Sequence, residues 1–296
     1  MSELPKSVHQ GFVDVDDCRL AYVERGSRQA DKPTLFFVHA TGFHSRVWDY
    51  LIEALPEYHA IALDQRGHGR SDKHTVRNWQ RFAQDQIAVT QSLGIERAIG
   101  IGHSMGGHGL LQAAHLGGAF ARLLLLDPTV SAPESYADHD PAVFDGELHP
   151  AAKRRSRFAS AAEMQTQLQG KSSFPLFHPR IFKDYCEFGV EADEAGGVRL
   201  CCDPVVEAHV YMAARSNPGV LDAARELSIP VTIVRAKAPS ADNPYDFSSS
   251  PTWPGLVDLL PNAEEHHWPE CTHFVPMQKP DEVIALIRQE IDIWQA

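Results

Sequence analysis

Short apolar runs that recur along the chain constrain its fold more than any other feature of the sequence. They cover residues 34–38, 59–63, 98–102, 123–126 and 231–234. Runs of this length without alternating polar positions are typical of strands that are buried on both faces of a parallel sheet. The chain is therefore expected to build a sheet that is covered by helices on both sides.

Segments with helical periodicity lie between these runs. They cover residues 47–55, 78–93, 105–116 and 281–294, and the last is amphipathic. Alternating strands and helices imply right-handed crossovers, so the sequence predicts an α/β fold with a doubly wound, mostly parallel sheet. Residues 8–15 and 19–24 read as an antiparallel hairpin at one edge, turned by Asp16 and Asp17.

The strand–helix rhythm stops between residues 131 and 227. This stretch contains helix-like pieces at 161–168 and 205–214, separated by loops rich in proline and glycine. We interpret it as a helical cap inserted between two core strands. The predicted division is a core of residues 1–130 and 228–296 with a cap of residues 131–227.

Charge and composition exclude several classes of function. The formal net charge of −12 argues against binding nucleic acid or anionic membranes. The sequence shows no apolar signal core at its start and no stretch of transmembrane length. Its five cysteines have no metal-binding spacing, and its sixteen histidines are scattered. We expect a cytoplasmic protein with no metal and no cofactor; a homo-oligomer is left open.

One serine lies where the backbone must turn sharply. Gly102-His103-Ser104-Met105-Gly106 matches the GxSxG pattern between a predicted strand and a predicted helix. Such a turn lifts the serine hydroxyl above the carboxyl edge of the sheet, where open α/β sheets bind ligands. The amide of Met105, at the helix N-terminus, then faces any negative charge that develops beside Ser104.

Four motifs in this order resemble the α/β-hydrolase superfamily. They are HATGFHS at 39–45, DQRGHGRSD at 64–72, GHSMGG at 102–107 and CTHFVPMQKPDEV at 271–283. The resemblance covers nearly the whole chain but is weak over the insertion. It implies that Ser104 is a nucleophile and that His273, in the loop before the last helix, is its base. His266 and His267 are placed in the preceding strand instead.

The carboxylate that orients the histidine has two candidates. Members of the superfamily usually supply this carboxylate from the loop after the strand at 231–234. In this chain that loop, RAKAPSADNPYD, has no acid near the strand end, and Asp242 lies farther along it. Asp127 ends the run at 123–126, which is expected to lie beside the strand that carries Ser104. We favour Asp127 and keep Asp242 as the alternative.

The resemblance also implies an oxyanion hole. Its two donors would be the backbone amides of Thr41 and Met105. Ala40 departs from the His-Gly pair that is common in this loop, and the Thr41 hydroxyl is a further candidate to contact the substrate. The loop at 64–69 is interpreted as scaffold.

These assignments predict hydrolysis of an ester-like bond through an acyl-enzyme, with a small molecule as the substrate. The cap aromatics suggest an apolar or aromatic substrate, with two or three of them lining the pocket: Phe158, Phe174, Phe177, Phe182, Tyr185 and Tyr211. A serine nucleophile argues against haloalkane dehalogenases and epoxide hydrolases. Three alternatives stay open: a carbon–carbon bond hydrolase of diketones, a cofactor-free dioxygenase that uses a histidine placed like His103, and a non-catalytic binding protein.

Overall fold

A computed structural model of the chain describes residues 8–137, 148–240, 242 and 246–295. Its strands are β1 (His9–Val15), β2 (Cys18–Arg25), β3 (Thr34–Val38), β4 (His59–Leu63), β5 (Ala98–His103), β6 (Phe120–Leu126), β7 (Arg157–Phe158), β8 (Val190–Ala192), β9 (Val198–Leu200), β10 (Val231–Arg235) and β11 (Ala263–His267). Eight of them form one sheet in the order β1-β2-β4-β3-β5-β6-β10-β11. This sheet confirms the predicted fold class.

The sheet is parallel from β4 to β11 and antiparallel at its first edge. The predicted hairpin is present, since β1 pairs antiparallel with β2, and β2 pairs antiparallel with β4. Every residue of β3, β4 and β5 is buried. Side chains alternate between two cores: Leu35 and Phe37 pack into one, whereas Phe36 and Val38 pack into the other. Both faces are therefore apolar, which is why these strands lack alternation in sequence.

Helices cover the two faces and the carboxyl edge. They are α1 (Asp49–Glu53), α2 (Gln80–Ser92), α3 (Met105–His115), α4 (Glu134–Ala137), α5 (Ala161–Leu168), α6 (Pro179–Phe188), α7 (Pro204–Met212), α8 (Gly219–Glu226), α9 (Leu256–Leu259), α10 (Val275–Gln278) and α11 (Pro280–Gln295). Short 3₁₀ helices cover Ser45–Trp48, Pro150–Lys153 and Phe174–Leu176. The segment predicted as one helix at 47–55 is thus a 3₁₀ turn that leads into α1.

The insertion differs from the helical cap expected from sequence. Beside its helices it contains a small antiparallel sheet in the order β7-β9-β8. Strands of two or three residues are too short to show periodicity, and β7 pairs with a strand about forty positions away, with Arg157 opposite Arg199. Helix α8, which the sequence placed in the cap, packs its Val220 and Leu221 into the core of the main sheet. The division at residue 227 stays a prediction.

Two further properties concern the chain as a whole. All five cysteines are buried and unpaired. None of the helices in the described ranges combines the length and the apolar character that a bilayer-spanning segment requires.

Candidate active site

Ser104 lies on a strained turn between β5 and α3. Its backbone has φ 56° and ψ −118°, a left-handed conformation that is uncommon for a residue with a side chain. The turn is held because the Ser104 amide donates to the Leu126 carbonyl at 3.1 Å and the Ser104 carbonyl accepts from the amides of His108 and Thr129. Glycine is required beside it, since a Cβ at Gly102 would lie 2.7 Å from the amide nitrogen of Gly107.

His273 contacts both predicted partners of its ring. Its Nε2 lies 2.9 Å from the Ser104 Oγ, and its Nδ1 lies 2.6 Å from the Asp127 Oδ2. A carboxylate can only accept, so Nδ1 carries the proton and Nε2 is free to accept the Ser104 hydroxyl proton. The ring is therefore held in the tautomer that a general base next to a serine requires.

Asp127 is fully buried and fixed by the loop that follows β10. Its Oδ1 accepts from the Ala236 amide at 2.9 Å, from the Ser250 hydroxyl at 2.5 Å and from the Thr252 hydroxyl at 3.3 Å. Asp242, the alternative acid, is exposed, and the carboxylate in contact with His273 is that of Asp127. The loop after β10 thus contributes two hydroxyls and a backbone amide that bind Asp127, and it does not supply the acid that contacts His273.

The two residues predicted to form the oxyanion hole lie next to each other. The Thr41 hydroxyl donates to the Met105 Sδ at 3.4 Å, and both side chains are buried. This contact differs from the expectation that the hydroxyl faces a substrate. Met105 begins α3, so its amide has the position expected of a donor at a helix N-terminus.

Thr129 is a contact of the nucleophile candidate that sequence reasoning missed. Its Oγ1 lies 3.1 Å from the Ser104 Oγ. Because Ser104 donates to His273, Thr129 is the donor in this pair. Nothing in the local sequence around Thr129 distinguishes it from an ordinary turn residue. Its contact with Ser104 forms only because the loop after β6 packs against the turn at Ser104.

His103 is buried behind His273 and binds its backbone. The His103 Nε2 donates to the His273 carbonyl at 2.8 Å, and the two ring centroids are 5.0 Å apart. Burial, followed by the nearby His273, holds the pKa of His103 well below its usual range, so the ring is neutral. This histidine therefore positions the loop that carries His273.

A cavity of about 1010 Å³ contains Ser104, Thr41 and His273 in its lining. Of the six cap aromatics noted in the sequence, Phe174, Tyr185 and Tyr211 line it. Phe158, Phe177 and Phe182 are buried in the hydrophobic core instead. The cavity also exposes aromatic rings from outside the cap, including Phe43 and Trp79.

The loop at 64–69 is a scaffold, as its sequence suggested. Arg66 donates twice to Asp85 on α2, each time at 2.9 Å. The Asp64 carboxylate accepts from the amides of Ser45 and Arg70. These contacts hold the loops around β3 and β4 in place.

One trio of potential metal ligands exists within the described ranges. The ligand atoms of Cys18, Asp72 and His74 lie within 4.8 Å of one another. None of the three lines the cavity that contains Ser104. No role in the site is assigned to them.

A model of a family described as the alpha/beta hydrolase family matches residues 35–286. The chain belongs to this family. The match begins at β3 and extends into α11, so it includes every residue of the site described above. Ser104, Asp127 and His273 follow one another along the chain in the order that is usual for nucleophile, acid and base in this fold.

Known relatives of this α/β hydrolase differ in activity. A bifunctional esterase/perhydrolase of Acinetobacter calcoaceticus is 33% identical over 161 residues, which are 50% of this chain and 56% of that protein. A non-heme haloperoxidase of Rhodococcus erythropolis is 32% identical over 48% of this chain and 54% of that protein. The chain thus matches about half the length of these two curated relatives.

One relative aligns over almost its whole length. A 2-(acetamidomethylene)succinate hydrolase of Mesorhizobium japonicum is 26% identical over 95% of this chain and 94% of that protein. A crystal structure of an E-2-(acetamidomethylene)succinate hydrolase superposes with a TM-score of 0.74 at 22% identity, covering 97% of this chain and 100% of that one. At this level of identity the superposition shows the shared fold.

Proposed function

We propose that this α/β hydrolase is a serine hydrolase that cleaves an ester-like bond of a small molecule through an acyl-enzyme. One observation carries the proposal: Ser104 Oγ, His273 and Asp127 are joined by contacts of 2.9 and 2.6 Å at the wall of a large cavity. A nucleophile, a base and an orienting carboxylate in series are what acyl transfer by a serine requires.

In the first step His273 Nε2 takes the Ser104 proton as Oγ attacks the ester carbonyl. Asp127 stabilises the imidazolium that forms, and its three other hydrogen bonds keep its carboxylate in place. His273 then gives the proton to the leaving alcohol. Water, activated by the same ring, attacks the acyl-enzyme and regenerates Ser104.

The backbone amides of Thr41 and Met105 are the proposed oxyanion donors. Each such donor stabilises a tetrahedral intermediate by about 3 kcal/mol. The proposed substrate is apolar or aromatic, because Phe43, Phe174 and Phe274 line the cavity beside Ser104.

The direct test is labelling by a serine-reactive fluorophosphonate together with turnover of 4-nitrophenyl esters. We expect peptide mass spectrometry to find the adduct on Ser104, and Ser104→Ala to abolish both labelling and turnover. A wild-type protein that neither reacts with the probe nor releases 4-nitrophenol would contradict the proposal.

A second candidate is hydrolysis of a carboxylate-bearing acetamide. It is favoured by the relative that aligns over 94% of its length, which is named for 2-(acetamidomethylene)succinate. Two cationic side chains, Lys171 and Arg215, also line the cavity. Incubation with 2-(acetamidomethylene)succinate, followed by NMR detection of released acetate, separates this candidate from simple ester hydrolysis.

A further inference from the structure

The wall that the cap presents to the cavity contains a buried polar cluster that the steps above do not use. Glu207 and Tyr211 lie on α7 one turn apart, so both face the same way. Arg154 follows the 3₁₀ helix that packs on α7, and Tyr185 belongs to α6. All four line the same cavity as Ser104, and we call them the cap cluster.

Within the cap cluster the charges are paired. The Arg154 Nη1 donates to the Glu207 Oε2 at 2.7 Å, and its Nη2 donates to the Tyr185 hydroxyl at 3.0 Å. The Glu207 side chain is 5% exposed and that of Arg154 is 27% exposed. Burial raises the pKa of Glu207, whereas the Arg154 guanidinium acts in the opposite direction. The cluster thus adds polarity to the wall without net charge.

The cap cluster lies against the loop that supplies the proposed oxyanion donor. A Cβ built on Gly42 would be 2.6 Å from the Glu207 Oε1 and 3.5 Å from the Arg154 Nη1. Gly42 directly follows Thr41 and has φ 79°, so its lack of a side chain serves both the turn and the approach of Glu207. A group bound by Glu207 is therefore close to the reacting carbonyl.

Two polar atoms of the cap cluster remain without a partner among the described residues. They are the Glu207 Oε1 and the Tyr211 hydroxyl. The Tyr211 ring is held by stacking on His149, with centroids 4.6 Å apart. A carboxylate oxygen can only accept a hydrogen bond, and a phenol can donate one.

The free atoms define the chemistry of the group that fits. It must donate to the Glu207 Oε1 and accept from the Tyr211 hydroxyl, which a hydroxyl does with one oxygen. A substrate carboxylate would be repelled by the negative charge of Glu207, and a substrate ammonium would be repelled by the positive charge of Arg154. A neutral group avoids both repulsions.

We propose that the cap cluster is a specificity subsite that binds a neutral hydroxyl group of the substrate. The proposal rests on the proposed esterase function, because it describes how the same cavity selects its substrate. It assigns Glu207 as the acceptor, Tyr211 as the donor, and Arg154 with Tyr185 as the residues that position Glu207.

The test compares 4-nitrophenyl esters of hydroxyphenylacetic and hydroxyphenylpropanoic acids with the matching methyl ethers and the unsubstituted acids. A methyl ether can accept a hydrogen bond but cannot donate one. We expect wild-type kcat/KM to favour the hydroxyl over the ether by about tenfold at the best ring position, the size expected of one hydrogen bond to a charged acceptor. Equal kcat/KM values throughout the series would overturn the proposal.

Glu207→Gln isolates the acceptor, because it keeps the shape but presents an amide N–H where Oε1 lies. We expect the hydroxyl-to-ether ratio to fall to about one, and an unchanged ratio would contradict the assignment. The matched control is Glu163→Gln on α5, which alters a surface pair with Arg155 at 2.7 Å and leaves the ratio as in wild type. Tyr211→Phe is the second variant if Glu207→Gln does not fold. It should lower kcat/KM by about tenfold for the hydroxyl and ether substrates relative to the unsubstituted one.

Failure of the subsite and failure of the esterase function give different results. If the esters are hydrolysed and Ser104 is labelled but the hydroxyl gives no preference, only the subsite is wrong. If no ester is hydrolysed, calorimetric binding of the non-cleaved 4-nitroanilide analogues to Ser104→Ala still reads the subsite. Tighter binding of the hydroxyl analogue than of its ether supports the cap cluster, and equal binding rejects it.

Discussion

The side chains of Ser104, Asp127 and His273 come from separate parts of the chain and meet at the candidate active site. Asp127 and His273 contact each other at 2.6 Å, and Ser104 is 2.9 Å from the same ring. Thr129 adds a second contact to the Ser104 Oγ, at 3.1 Å. The chemistry proposed here therefore depends on individual hydrogen bonds, and removal of a single atom is a fair test of each.

Replacing the proposed nucleophile tests the first of these bonds. We expect Ser104→Ala to lower ester turnover by roughly 10⁴-fold or more, since no other group can form the acyl-enzyme. The variant should unfold at nearly the wild-type denaturant concentration, because the left-handed backbone is set by its neighbours. Steady-state kinetics with urea unfolding check both points. Retained turnover in a folded variant would mean that another residue is the nucleophile.

The acid is tested by a pair of isosteric substitutions. We expect Asp127→Asn to lower kcat by about 10³–10⁴-fold, because an amide can stabilise the wrong tautomer of His273. Asp242→Asn should leave kcat within about twofold of wild type, since Asp242 is exposed. The reverse ranking of the two variants would assign the role to the acid that the superfamily usually uses.

At the scale of elements, the turn at Ser104 depends on how closely β5 and α3 pack on β3. A Cβ at Gly106 would overlap the backbone carbonyl of Val38, which belongs to β3 and cannot move aside without breaking the sheet. The glycines of the motif therefore set the distance between a helix and a strand. The role of these glycines is steric, not catalytic.

Gly106→Ala should accordingly destabilise the protein by about 1–3 kcal/mol, the usual cost of overpacking, and lower turnover by moving Ser104. The matched control is Gly170→Ala near the end of α5, where a Cβ would meet no heavy atom within 4 Å. We expect the control to stay within about 0.5 kcal/mol of wild type in urea unfolding. Equal stability of the two variants would show that the turn relaxes more easily than its packing indicates.

At the scale of the whole molecule, several histidines are buried as neutral rings. Burial lowers the pKa of His39 and His68 to about 3 and that of His108 to about 4. For His108 the contacts explain why: Nδ1 donates to the Thr129 carbonyl at 2.9 Å and Nε2 accepts from Asn217 at 3.0 Å. A second ring proton, on Nε2, would point at the Asn217 amide, which is itself a donor. These histidines therefore favour unfolding in acid.

The effect of pH on stability depends on which state of the protein, folded or unfolded, binds the proton. Above pH 6.5 His108 is neutral in both states, and below it only the unfolded chain takes up the proton, until the pH reaches about 4. The free energy of unfolding should fall by about 1.4 kcal/mol per pH unit in this window for each such histidine. Urea unfolding from pH 7 to pH 5 measures it. The stability advantage of wild type over His108→Gln should shrink at this rate, and parallel pH profiles would contradict the prediction.

Much of the architecture is determined by the sequence itself. The uninterrupted apolar runs predicted β3, β4 and β5, because a strand with two covered faces has no polar positions to alternate with. The GxSxG pattern located the turn at Ser104, because only glycine tolerates the close packing there. The two-residue and three-residue strands between β6 and β10 escaped prediction, since their pairing is not local.

The composition of the site was decided only by tertiary structure. The sequence left two acids open, and the fold brings Asp127 rather than Asp242 to His273 across 146 positions of chain. The Arg154–Glu207 pair spans 53 positions, and the Thr129 contact with Ser104 spans 25. Local propensity and hydrophobic periodicity carry no information on such distant pairs, because these pairs depend on how the loops and the segment between β6 and β10 pack over the sheet.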